Sequence, residues 1–155
     1  MKRVATGLLL LCFAAPAVAG NTVTVKLITA DVAQRIVVTA LEHCAKEGYQ
    51  VTAVVVARDG RIQALLRHAL ASPVTVKIAK KKAKTSANMR LPSMEVPKPL
   101  ARASKKLTGL RGGLPIEAGG QFYGGVGVSG ATGEIDEACA QAGIDEVMDD
   151  LEFEE

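Results

Sequence analysis

The order of helix and strand signals in this 155-residue chain predicts an α+β domain, a mainly antiparallel sheet flanked by helices in the order α-ββ-α-α-ββ-α. Three observations carry that prediction. Two pairs of apolar runs are each joined by a tight turn, Asp59-Gly60 and Gly119-Gly120, so each pair reads as a hairpin. Helical apolar spacing precedes, separates and follows the two hairpins. Hairpins build antiparallel sheets, and helices placed between hairpins cover the faces of such a sheet.

Lys2 and Arg3, the apolar run from Val4 to Ala15, and the small-residue end Pro16-Ala17-Val18-Ala19 follow the order of a secretory signal peptide over residues 1–19. The apolar run is too short to span a bilayer, which takes roughly 20 helical residues. Cys12 follows three leucines and lacks the small neighbour that a lipidation site uses. A mature chain starting at Gly20 keeps enough residues for one domain, 20–150, ahead of a short acidic tail, 151–155. The expected location is periplasmic or secreted. No later run is long and apolar enough to span a membrane. Without Lys2 and Arg3, the formal charge drops from +3 to about +1.

Asn21 to Leu27 alternates Thr and Val as an extended arm. Thr29 caps a helix running to Lys46, with Ala33, Val37, Ala40, Leu41 and Cys44 at helical spacing and Gly48 closing it. Val51–Arg58 and Arg61–Arg67 are strands. Their Asp59-Gly60 link predicts a type I′ turn with positive φ at both residues. Ser72-Pro73 starts a helix to Asn88, the serine hydroxyl capping it and Pro73 taking the first helical position. Val74, Ile78, Ala79, Ala83 and Ala87 form its apolar face, leaving Lys77, Lys80, Lys81, Lys82 and Lys84 mostly as an exposed stripe. Leu91–Pro99 holds three prolines and reads as a loop, and Leu100–Leu107 as a short helix. Leu114–Ala118 and Gln121–Val128 form the second hairpin. Ile135–Met148 is the last helix, with Ala138, Cys139, Ala142 and Val147 inward, and Asp149–Glu155 reads as a frayed tail.

Charge is laid out unevenly. Arg58 to Arg111 holds 14 basic and 2 acidic residues; Glu134 to Glu155 holds 10 acidic residues and no basic one. This describes either two solvated faces of opposite sign or a basic surface for an anionic ligand. A nucleic-acid partner is disfavoured by export and by an aromatic content of 3%. Cys44 and Cys139 remain after export and form a candidate disulfide, two buried thiols being the alternative. No CxxC supports redox or zinc chemistry. Gly125-Val126-Gly127-Val128-Ser129-Gly130 matches G-x-G-x-x-G, but it sits in and after a hairpin strand. A dinucleotide fingerprint belongs at a strand-to-helix turn opening a βαβ unit, so close backbone approach is the better reading. His43 suits a helix C-terminus, and His68 is either a loop histidine or a metal ligand, Met89 and Met94 being possible second ligands. No catalytic triad or acid/base pair with compelling spacing is present, which favours a non-catalytic role.

Several segments, taken in order, resemble the GlcG/HbpS-like haem-binding family. They are Val54-Val55-Val56 with Arg58-Asp59-Gly60, Ala64 to Arg67, Ser72-Pro73-Val74-Thr75, Lys80 to Thr85, Gly112 to Ile116, Gly119-Gly120, Gly124 to Gly130 and Asp136 to Gly143. The resemblance covers about Leu27 to Val147. It implies a profilin-like sheet, oligomeric assembly and a haem cofactor, some members being secreted haem-binding or haem-degrading proteins and others linked to glycolate or corrinoid metabolism. Many relatives have His at the position of Val74 and Tyr at that of Lys84. The implied site is an apolar cleft between the sheet and the Ser72–Asn88 helix. There Arg67, Thr75, Lys77, Lys81 and Lys84 would meet haem, the basic groups at its propionates, and His68 its iron. The expected function is exported haem binding for sensing, storage or degradation. The alternatives are a non-catalytic homo-oligomer that binds another anionic small molecule or serves a sensor partner.

Overall fold

The computed structural model describes residues 22–153. The expected signal peptide, Cys12 and the start at Gly20 lie outside the described residues. Residues 22–27 form an exposed arm outside any strand or helix.

The first helix, α1 (Ala30–Lys46), is capped by Thr29, whose hydroxyl accepts from the Val32 N–H at 3.3 Å. Strands β1 (Thr52–Ala57) and β2 (Ile62–Arg67) follow. Their turn is not type I′. Only Gly60 has positive φ; its N–H donates to the Ala57 carbonyl and the Ala57 N–H to the Arg61 carbonyl. This is the three-residue hairpin with a left-handed glycine at its end. The type I′ pattern falls instead at Gly119-Gly120, where φ is +54° and +73°.

Helix α2 spans Val74–Met89. No side-chain bond caps it; the Ser72 carbonyl, rather than its hydroxyl, accepts from the Thr75 N–H and hydroxyl. The proline-rich segment contains a 3-10 turn at Ser93–Glu95, and α3 (Lys98–Ala103) begins earlier than expected because Pro99 fits a first helical turn. Strands β3 (Gly113–Ala118) and β4 (Gln121–Ser129) precede α4 (Gly133–Asp145), capped by Thr132, and α5 (Met148–Glu152). The acidic end is therefore not frayed through Glu152. Leu151 is buried, and its carbonyl accepts from the Tyr123 hydroxyl at 3.3 Å.

All four strands pair antiparallel in the order β2-β1-β4-β3. Because strand side chains alternate, β1 sends Ala53 and Val55 to one face and Val54 and Val56 to the other. The first face carries α1, α4 and the larger core, including Ile36, Val37, Ile116, Tyr123, Val126 and Ile144. On α4 the buried positions are Asp136, Cys139, Ala140, Gly143 and Ile144, whereas Ala138 is exposed. Cys44 and Cys139, both fully buried, form a disulfide with Cα atoms 5.6 Å apart, tying α1 to α4.

The second face carries α2, whose Ala79, Ala83 and Ala87 pack on Val54, Val56 and Phe122. A Cβ added at Gly125 would lie 2.6 Å from the Ala83 carbonyl oxygen, and one at Gly127 closer still to that of Ala79. The glycine motif thus admits a helix backbone. The expected apolar face of α2 is narrower than its spacing suggests: Val74 is exposed and Ile78 only half-buried.

Candidate functional site

Direct packing of α2 on the sheet leaves no cleft between them. The cleft lies on the outer side of α2, closed by the β1–β2 turn and the chain after α3. It is open, with a volume of about 760 Å³. Helical periodicity explains its wall: with Ala79, Ala83 and Ala87 against the sheet, Lys77, Lys80, Lys81 and Lys84 project from the opposite side. Lys105 and Lys106 complete the lysines, and Asp59, Gly60, Pro73, Val76 and Asn88 the lining.

Lys105 and Lys106 reach the cleft through tertiary contacts. The Thr108 N–H donates to the Thr85 hydroxyl at 3.0 Å, and the Ser93 hydroxyl donates to the Leu110 carbonyl at 2.6 Å, folding the segment back over α2. Among the described residues, none of the six cleft lysines forms an ion pair. Asp59, the wall's carboxylate, is engaged by Arg61 through its backbone N–H at 3.0 Å and its guanidinium at 3.4 Å. Like charges at i, i+3 and i, i+4 oppose helix formation by a few tenths of a kcal/mol per pair. An anion in the cleft would relieve that repulsion.

The expected site residues separate. Lys77, Lys81 and Lys84 line the cleft. Arg67 does not; its guanidinium donates to the carbonyls of His68, Ala69 and Ala71, shaping the loop ahead of α2. Thr75 is buried, bonded to the Thr52 hydroxyl at 2.7 Å and the Ser72 carbonyl at 2.6 Å. His68 follows β2, outside the cleft wall, and its Nδ1 accepts from the Leu70 N–H at 3.2 Å. Met89 and Met94 also lie off the wall.

Lys82 breaks the exposed stripe. It is buried, and its Nζ donates to the Asp136 carboxylate at 2.7 Å and the Val128 carbonyl at 2.8 Å. Asp136 also accepts from the Ala131 N–H at 3.0 Å. Burial nevertheless pushes the Asp136 carboxyl above its ordinary range, opposed by Lys82 and by backbone N–H groups. This pair ties α2 to α4 past the end of β4. Lys82 turns inward because it sits beside Ala83 on the sheet-facing side, a placement that five lysines in eight residues hides. Among the described residues, no group of three or more His, Cys, Asp or Glu side chains forms a metal site.

Comparisons with known proteins agree on the family. The model of the family described as "Haem degrading protein HbpS-like" matches residues 28–145. This chain belongs to the HbpS-like family. A crystal structure of an HbpS double mutant from Streptomyces reticuli is 34% identical, with a TM-score of 0.74, over 85% of this chain and 96% of that one. The Klebsiella pneumoniae protein ORFY is 25% identical, with a TM-score of 0.78, over 84% and 97%. A PduOC:heme complex shares the fold at 22% identity and a TM-score of 0.72, over 78% and 95%. No curated protein matches this chain. Membership bears out the family resemblance and the α+β fold that the sequence predicts.

Proposed function

We propose that this chain is an exported haem-binding protein that holds haem by its propionates in the α2 cleft. One observation carries the reading: six lysines that form no ion pair among the described residues surround a cleft of about 760 Å³ in a member of a haem-degrading family. Volumes of roughly 300–1,000 Å³ suit small-molecule and cofactor sites. Carboxylate–ammonium hydrogen bonds are among the strong ones, and lysine stems with Val76 and Pro73 offer apolar contact to a macrocycle. The wall fits the carboxylates and the ring edge of haem. Haem, when bound, supplies the redox chemistry; the residues of this chain bind and orient it.

The reading is tested by titrating haemin into the mature protein at low and high salt. A saturable Soret shift whose affinity falls as salt rises is expected, because the contacts are between solvated charges. Absence of a saturable shift overturns it. Export rests on the pattern of Lys2 to Ala19, and N-terminal sequencing of protein recovered outside the cytoplasm should begin at Gly20.

Homo-oligomeric assembly is a second reading, supported by β2. It is an edge strand with exposed Ile62, Leu65 and Leu66. The His68 N–H bonds the Val51 carbonyl, so by antiparallel alternation Leu65 and Arg67 turn their backbone N–H and C=O groups away from β1. The arm 22–27 exposes Val23 and Val25 and leaves the domain beside β2, where Gln63 donates to the Ile28 carbonyl. An arm from a second copy suits that edge. Light scattering should give a multimer that dissociates when residues 22–27 are deleted; a monomer before deletion removes this reading.

A further inference from the structure

We infer that the cleft recognises a tetrapyrrole through its carboxylates alone, so that a metal-free tetrapyrrole dicarboxylate is bound as well as haem. This rests on the haem-binding reading above and narrows it.

The inference comes from the chemistry of the wall. Six of its residues are lysines, and an ammonium group has three N–H donors and no acceptor. Such groups hold carboxylates and offer nothing to iron. Among the described residues, histidine, cysteine, methionine and tyrosine, the usual haem-iron ligands, are absent from the lining. The oxygen donors are Asp59, already engaged by Arg61, and the neutral amide of Asn88. His68 is not part of that wall, and its Nδ1 accepts from the Leu70 N–H at 3.2 Å. Binding energy at this site therefore comes from the rim of the ligand and its apolar ring, both of which survive removal of iron. They also survive opening of the macrocycle, so a linear tetrapyrrole dicarboxylate belongs to the same ligand class.

The test compares haemin, protoporphyrin IX and protoporphyrin IX dimethyl ester on the mature wild-type protein, by absorbance and porphyrin fluorescence. Haemin and protoporphyrin IX should bind with affinities within about threefold of one another, and the dimethyl ester at least about tenfold more weakly. Lys81→Glu with Lys84→Glu should weaken haemin and protoporphyrin IX by the same factor, while His68→Ala changes neither. Protoporphyrin IX binding more than about tenfold weaker than haemin overturns the inference and leaves haem binding intact. An ester that binds as tightly as the free acid overturns it too. Binding of neither haemin nor protoporphyrin IX removes the haem-binding reading itself.

Discussion

On the α1/α4 side of the sheet, bulky residues such as Ile36, Val37, Val126 and Ile144 interlock beneath a disulfide. On the α2 side, alanines rest on a strand stripped to glycine at 125 and 127. The charges differ in the same way. Arg111 pairs with Glu134 and Glu137, and Arg35 with Glu146 and Asp150, so part of the acidic C-terminal run is matched within the fold. Among the described residues the cleft lysines on α2 have no such partners. One face is matched within the fold, whereas the other leaves its cations facing solvent.

This contrast can be broken from the closed side first. Replacing Cys44 and Cys139 by serine should cost about 4–5 kcal/mol in urea unfolding, because the bridge closes a 95-residue separation. A much smaller loss would mean that packing alone holds α1 to α4. Lys82→Met should cost about 3–5 kcal/mol at neutral pH by leaving the Asp136 carboxylate buried without its counter-charge. Adding Asp136→Asn to that variant should recover most of the loss. Failure to recover would show that the pair is not a closed unit.

The α2 side should respond to volume. Gly127→Ala should cost about 1–3 kcal/mol and lower the melting temperature, since its Cβ meets the Ala79 carbonyl. The Asp136 carboxyl gives a pH signature of known sign. Its folded pKa is raised above the ordinary value of 3.8, so the native state binds the proton more tightly. Its contribution to stability is greatest below the unfolded pKa and is lost as pH rises through the folded one. NMR titration of Asp136 should find a midpoint above 3.8. Glutamate for lysine at 77, 81 and 84 should move stability least, within about 0.5 kcal/mol, because these side chains lie on the surface.

Much of this was legible in the sequence, for local reasons. The helix caps at Thr29, the hairpin turns and the strand alternation are short-range signals, and the element order followed from them. The cysteines were legible once export was read, although only the packing of α1 on α4 brings them together. Within the site, helical spacing placed Lys77, Lys81 and Lys84 on one face. It could not show that the sheet side of α2 was already filled, because Gly125 and Gly127 act on the helix from over 40 residues along the chain. It also could not place Lys105 and Lys106, which depend on Thr108 meeting Thr85, nor separate Lys82 from its neighbours, which depends on Asp136. Arg67 and Thr75 looked available beside that helix but are occupied by carbonyls and hydroxyls close by.

The proposed role of the α2 lysines as ligand-binding groups is tested by haemin titration of the wild type against the Lys77→Glu, Lys81→Glu, Lys84→Glu triple variant, with unfolding curves to confirm an intact fold. The expected result is a saturable Soret shift whose affinity drops at least about tenfold in the variant while stability holds. Equal affinity in a folded triple variant would contradict it.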